Sequence, residues 1–401
     1  MKKEFTLFYL TLFAFLFIVA CNNTKQAESR EDYKTDNNNW SIMIADAAMQ
    51  RYDSLIHYLD NPKPKWSYDI AMLGLAIDKL GSFDEKYSQY MRDYIDYFIN
   101  EDGDINTYSM AKYRLDDINP GKNLIVLYKR TGEEKYLKAI ETLVKQLQGQ
   151  PRTHSGGFWH KKIYPWQMWL DGIYMASPFM AQYAKEFNHP LWFDTVVQQI
   201  TLIHEKTLDP ETGLLYHAWD ESKQQKWANP VTGCSPNFWG RAMGWYMMAL
   251  VDVLDYLPAS HPGHDSIVNI LQQTADALMK VRDDSSGLWY QVLDMGNRDG
   301  NYLEVSASAM FTYAFAKGAN KGYLPDRYHK IAVDSFNSII NHYVYTDKDN
   351  LPSITHICAA AGLGGNPYRD GSYEYYINER RQNNDPKGVA PFIMAAIELG
   401  Y

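Results

Sequence analysis

The chain has 401 residues, a formal net charge of −9, 14% aromatic residues with eleven Trp, and only three cysteines. So few cysteines exclude a disulfide scaffold, and an acidic balance without a basic run beyond the first residues argues against nucleic acid as a partner. The aromatic share suits sugar binding, since pyranose C–H faces stack on such rings, although an aromatic-rich core gives the same count.

At the N-terminus, Lys2 and Lys3 precede the apolar run Phe5 to Ala20. This predicts a signal peptide over residues 1–20, because the run is short for a membrane span. It ends Ile18-Val19-Ala20-Cys21, which resembles the bacterial lipoprotein cleavage box with Cys21 as the lipidated residue; an uncleaved anchor is the alternative. Residues 21–39 are polar and nearly free of aliphatic side chains, as in a flexible tether. Membrane association is therefore expected only through lipid on Cys21, in a bacterial cell envelope, facing the periplasm or the cell surface. Residues 40–401 contain no Ser/Gly-rich or Pro-rich linker, which favours one domain. Sequence does not say whether Cys234 and Cys358 pair.

Within that domain, apolar residues recur at helical spacing and strand-like alternation is brief. The pattern predicts an all-α chain of twelve helices starting near Asn39, Tyr68, Asp84, Asn119, Glu133, Leu170, His189, Asn237, Pro262, Leu303, Pro325 and Asp385. Several starts carry a cap or an early proline, as in Asn119-Pro120 and Asp385-Pro386. Acidic turns followed by a hydrophobic, often Tyr-containing segment recur, as in DPETGLLYHAWD from Asp209 and DDSSGLWYQVLD from Asp283. Glycines at 103, 156, 213 and 287 are spaced by 53, 57 and 74 residues, a weak repeat of two helices per unit. Six helical hairpins closed into a ring give an (α/α)6 barrel; an open superhelix of hairpins is the alternative.

The barrel would gather the informative segments at one mouth, at the starts of alternate helices. Trp66-Ser67-Tyr68 precedes the second helix, Asp116-Asp117-Ile118-Asn119-Pro120-Gly121 the fourth, Trp169-Leu170-Asp171 opens the sixth and Phe238-Trp239-Gly240-Arg241 the eighth. Asp171 lies among Trp166, Met168, Trp169, Tyr174 and Met175, just after the pair His160 and Lys161. A carboxyl with such neighbours is poorly solvated, so its pKa is expected to rise and fit it for proton delivery. The plainer reading makes Asp171 a helix cap. One of Asp116 and Asp117 could face the pocket while the other caps the helix, or both could serve only as caps or ion-pair partners, and the doublet leaves open which does which. His217 follows a turn among aromatics, and Arg241 shares a helix face with Trp245 and is suited to clamp a carboxylate or to pair with a pocket aspartate. No metalloprotease HExxH, CxxC pair, Walker loop or GxSxG elbow is present. GLGG at 362–365 reads as a tight backbone turn.

Four blocks, LDDINPGKNLIVLYKRTG, GGFWHKKIYPWQMWLDGIYMASPF, NFWGRAMGWYMMALVDVLDYLP and GLGGNPYRDGSYEYYINE, resemble glycoside hydrolase family 105, the unsaturated rhamnogalacturonyl hydrolases, which are similar to the unsaturated glucuronyl hydrolases of family 88. The resemblance runs from Trp40 to the C-terminus and implies an (α/α)6-barrel catalytic domain over 40–401. It implies Asp171 as catalytic proton donor and Asp116 as second carboxylate. It further implies a sugar site lined by Tyr68, His160, Lys161, Trp169, Met175, His217, Arg241 and Trp245. The implied reaction hydrates the C4=C5 bond that lyases leave on a terminal uronic acid, with no metal or organic cofactor, and with Asp116 raising the proton affinity of Asp171. Its substrate is an unsaturated oligosaccharide, pectin- or rhamnogalacturonan-type by family default. An ordinary inverting glycosidase on the same barrel and a non-catalytic, lipid-anchored glycan-binding protein are the other readings.

Overall fold

A computed structural model describes residues 39–401; the predicted leader, Cys21 and the predicted tether up to residue 38 lie outside the described residues. In chain order the helices are α1 (Trp40–Arg51), α2 (Tyr68–Asp78), α3 (Glu85–Phe98), α4 (Gly121–Thr131), α5 (Glu134–Gln148), α6 (Leu170–Glu186) and α7 (Leu191–Thr207). They continue with α8 (Gly240–Leu254), α9 (His264–Lys280), α10 (Val305–Asn320), α11 (Arg327–Tyr343), α12 (Tyr373–Asn378) and α13 (Pro386–Leu399). Each of the twelve predicted starts falls within three residues of a long helix.

Two kinds of sequence make two layers. In α8 every residue except Asp252 is buried, which suits a helix surrounded by protein on all sides. In α3 burial is confined to Tyr87, Tyr90, Met91, Tyr94, Ile95 and Phe98, the single apolar stripe of a helix with one face in water. The inner helices α2, α4, α6, α8, α10 and α13 each pack against the next, and α13 closes back on α2. The open superhelix is thereby excluded. Outer helices α3, α5, α7, α9 and α11 each pack on the inner helix preceding them, and α1 completes the sixth pair with α13. Close approach within the ring needs small residues: a Cβ on Gly121 would lie 2.5 Å from the Phe179 ring.

Because each outer helix runs back along its inner partner, every following connection lands at the start of the next inner helix. All six inner starts therefore share one end. The sequence repeat is the geometry of those connections. Gly103, Gly156, Gly213 and Gly287 all have positive φ, and Asn350 takes the same conformation in the turn between Thr346 and Pro352 that follows α11. A side chain at the head of several turns accepts the backbone N–H groups, as Asp209 does from Thr212 and Asp283 from Ser286.

The same end carries elements the helical period does not predict. These are α12, a 3-10 turn at Leu115–Asp117 and three antiparallel ribbons: β1 (Gln167–Trp169) with β2 (Ala218–Asp220), β3 (Val344–Thr346) with β4 (Pro352–Ile354), and β5 (Ile357–Cys358) with β6 (Arg381–Gln382). Strands of two or three residues are too short to show alternation. The first ribbon pairs Trp169 with Ala218 and so brings the start of α6 beside His217. Among the described residues no helix is long and apolar enough to cross a membrane.

Candidate active site

Asp171 occupies the first turn of α6, where Trp169 is the cap and no side chain makes a capping bond. Capping is therefore not its role. Its carboxyl is 14% exposed and faces His217, whose Nε2 stands 3.1 Å from Asp171 Oδ2. On the other side of that imidazole, Nδ1 lies 2.7 Å from the Tyr376 hydroxyl. Leu170 N–H donates to the His217 carbonyl, fixing the two segments in register. His217 is held further between Trp169 and Trp239, at ring distances of 5.3 and 4.8 Å.

The expected rise in the Asp171 pKa is not what this geometry gives. Burial does push it up, but the His217 imidazole and then His160 outweigh burial and hold the carboxyl below its ordinary value. A partner 46 residues downstream sets the direction. Asp116 does not supply the expected like-charge effect either. Lys161 Nζ stands 2.7 Å from it, Arg114 Nη2 3.2 Å and His160 Nε2 3.4 Å. Burial would raise Asp116, and these neighbours, Lys161 foremost, hold it well below the usual carboxylate range. Its charge is spent on its own neighbours.

His160 bridges the two carboxyls electrostatically and is pushed down to about 4, chiefly by burial. Its ring stacks on Trp169 at 4.6 Å, and Tyr164 stacks on the same indole at 5.0 Å. Trp169 Nε1 donates to Gln167 Oε1, so this indole sets the position of His160 and His217. Across the mouth, Tyr68 meets Trp245 edge-on at 5.9 Å, and Trp245 stacks on Tyr174 at 5.1 Å. Met175, one turn below Asp171, is buried. Arg241 pairs with no pocket aspartate. It donates to the Cys358 carbonyl and Ser306 Oγ and lies over Trp239.

Nine of the ten residues expected at the sugar site thus gather at the mouth, and Met175 lies buried one turn beneath Asp171. Trp239, in a segment already expected at the mouth, joins them, and three more escaped the sequence: Arg114, Tyr376 and Glu304. Arg114 had a visible signal, a cation directly before Leu115-Asp116-Asp117. Tyr376 lies 159 positions from His217 and had none. Cys234 and Cys358 are both buried free thiols. Among the described residues no group of three or more His, Cys, Asp or Glu is placed to hold a metal ion.

The doublet also resolves. Asp116 meets Lys161 and His160, whereas Asp117 has Arg114 Nη1 at 3.7 Å. Burial, opposed by Arg114 and reinforced by Asp116, pushes the Asp117 carboxyl up to about 6. The folded chain therefore holds this proton more tightly than the unfolded one, and stability falls as pH rises from about 4 through 6. Asp117→Asn removes the penalty. It is expected to stabilise the protein by about 3 kcal/mol at pH 8 and by almost nothing at pH 4, read as paired thermal melts. Equal gains at both pH values would refute the assignment.

A closed ring of six helical hairpins, with carboxyl and imidazole groups between aromatic walls at one mouth, defines an (α/α)6-barrel glycoside hydrolase. The chain belongs to Glycosyl Hydrolase Family 88, whose model matches residues 40–400. It is similar to a solved family 105 glycoside hydrolase from C. acetobutylicum, at 44% identity and a TM-score of 0.87, covering 90% of this chain and 99% of that one. The unsaturated rhamnogalacturonyl hydrolase YesR of Bacillus subtilis is 30% identical over 250 residues, 61% of this chain and 67% of YesR. Protein Atu3128 of Agrobacterium fabrum is 38% identical over 233 residues, 56% of this chain and 97% of that protein. The family 105 resemblance of the sequence blocks and the barrel they implied are both upheld.

Proposed function

We propose that this glycosidase removes the terminal Δ4,5-unsaturated uronic acid from lyase-generated oligosaccharides of the rhamnogalacturonan or pectin type, with Asp171 as proton donor. The activity of YesR supports the substrate class, and the contact of Asp171 with His217 and Tyr376 carries the mechanism. The Tyr376 hydroxyl can accept from Nδ1–H, which leaves Nε2 free to take or release the proton facing Asp171. The pair can therefore hold one proton on Nε2, as imidazolium and carboxylate, or on Oδ2, with both groups neutral. Substrate entry displaces water, which disfavours the charge-separated form, and brings a second carboxylate, which raises the proton affinity of Asp171. The proton thus moves to Oδ2 when it is needed.

Asp171 then protonates C4, and the C4=C5 electron pair forms the new C–H bond. Positive charge spreads over C5 and the ring oxygen. Water adds at C5 and returns a proton to the Asp171 carboxylate, and the hemiketal opens to expel the aglycone as an alcohol. An inverting glycosidase would need Asp116 or Asp117 as base. Asp116 is tied to the Lys161 and Arg114 cations and to His160, and Asp117 keeps its proton up to pH about 6, so that route is disfavoured. The test is loss of the ultraviolet absorbance of unsaturated disaccharides, run beside saturated analogues. Comparable cleavage of the saturated sugars would overturn the hydration mechanism.

The leader motif supports a lipid anchor at Cys21 and a place in the cell envelope. Cys21→Ser is expected to abolish incorporation of labelled palmitate in cells, and undiminished labelling would refute the anchor.

A further inference from the structure

A second polar site lies on the barrel axis at the end opposite the mouth. All six inner helices line a cavity of about 140 Å³ there, room for several waters or one small anion. Its carboxylates already have cations. Arg130 holds Asp78 at 2.7 and 3.0 Å. Lys317 holds Asp252 at 2.7 Å and Asp255 at 2.6 Å, and the Tyr313 hydroxyl donates to Asp252 at 2.6 Å.

Two lining lysines have no carboxylate partner, Lys79, which is exposed, and Lys122, which is buried. Lys122 is 5% exposed, it lines the cavity, and its Nζ is buried without a hydrogen-bond partner. The ammonium rests over the Tyr174 ring at 4.1 Å, and the Tyr174 hydroxyl is turned toward Asp252. A ring face offsets only part of the cost of desolvating an ammonium, and it satisfies none of the three N–H donors. Burial pushes Lys122 down to about 8, so it still carries its charge at neutral pH.

We propose that this axial cavity is an anion-binding site, holding a halide or small oxyanion against Lys122 Nζ. The site is separate from the catalytic mouth and does not rest on the reaction assigned to it. The occupant sits one layer beneath the active-site floor, since the other neighbour of Tyr174 is Trp245.

The experiment uses the folded chain in two ways. Crystals soaked in sodium bromide should show an anomalous peak within hydrogen-bonding reach of Lys122 Nζ. The unfolding temperature of the wild type should rise with added sodium chloride or phosphate, by several degrees more than that of Lys122→Met. Lys122→Gln is the second variant should methionine not be accommodated. An empty or water-filled cavity in the bromide crystals overturns the proposal, as does an equal salt response in wild type and variants.

Discussion

Asp171→Asn is expected to lower kcat on an unsaturated disaccharide by a factor on the order of 10² to 10⁴, the usual contribution of a positioned general acid. Asparagine keeps the shape of the side chain and can still meet His217 Nε2, but it has no proton to give. Since the Asp171 side chain makes no helix cap, the fold should survive, and the melting curve serves as the control. A variant retaining turnover within a few-fold of wild type would remove Asp171 from the chemistry. The pH profile separates this role from a structural one. A general acid works only while protonated, so turnover should fall as pH rises and Asp171 loses the proton it must deliver. Bound substrate raises that proton affinity, so the limb should lie at higher pH in kcat than in kcat/KM. The two limbs coinciding would mean that substrate does not shift the pair.

What the sequence revealed of this site follows the range of its interactions. Helix starts are set by residues within one turn, so Asp385-Pro386 and Trp169-Leu170 were readable, and twelve starts located the barrel. The repeated turns were readable for the same reason, because a positive-φ glycine and an acidic head lie within five residues of each other, as with Asp209 and Gly213. The burial of Asp171 was also legible from its neighbours. Its charge state was not, because that depends on His217 across a ribbon of three residues per strand, which carries no period. Arg241 shows the same limit. Its position between Trp239 and Trp245 was visible, but its partner turned out to be the backbone of Cys358, 117 residues away, rather than a carboxylate.

That Arg241 contact depends on Glu304, whose replacement should have the largest effect on stability. Glu304 is fully buried and caps α10, accepting from Ser306 N–H at 3.1 Å and Ala307 N–H at 2.7 Å. The same carboxylate accepts from Cys358 N–H at 2.9 Å, and the Cys358 carbonyl in turn receives Arg241. One side chain thus joins an inner helix to β5 and sets the acceptor that positions a guanidinium at the mouth. Glu304→Ala removes the cap and leaves the Ser306, Ala307 and Cys358 N–H groups buried without acceptors. Cap loss together with those unsatisfied donors should cost about 3–5 kcal/mol in denaturant unfolding. Glu304→Gln should cost less, because it keeps one acceptor oxygen while turning an amide toward donors. Activity should suffer in the alanine variant even below its unfolding midpoint, since Arg241 loses its fixed partner. A Glu304→Ala protein within about 1 kcal/mol of wild type would show that water replaces the carboxylate and that β5 is held by other contacts.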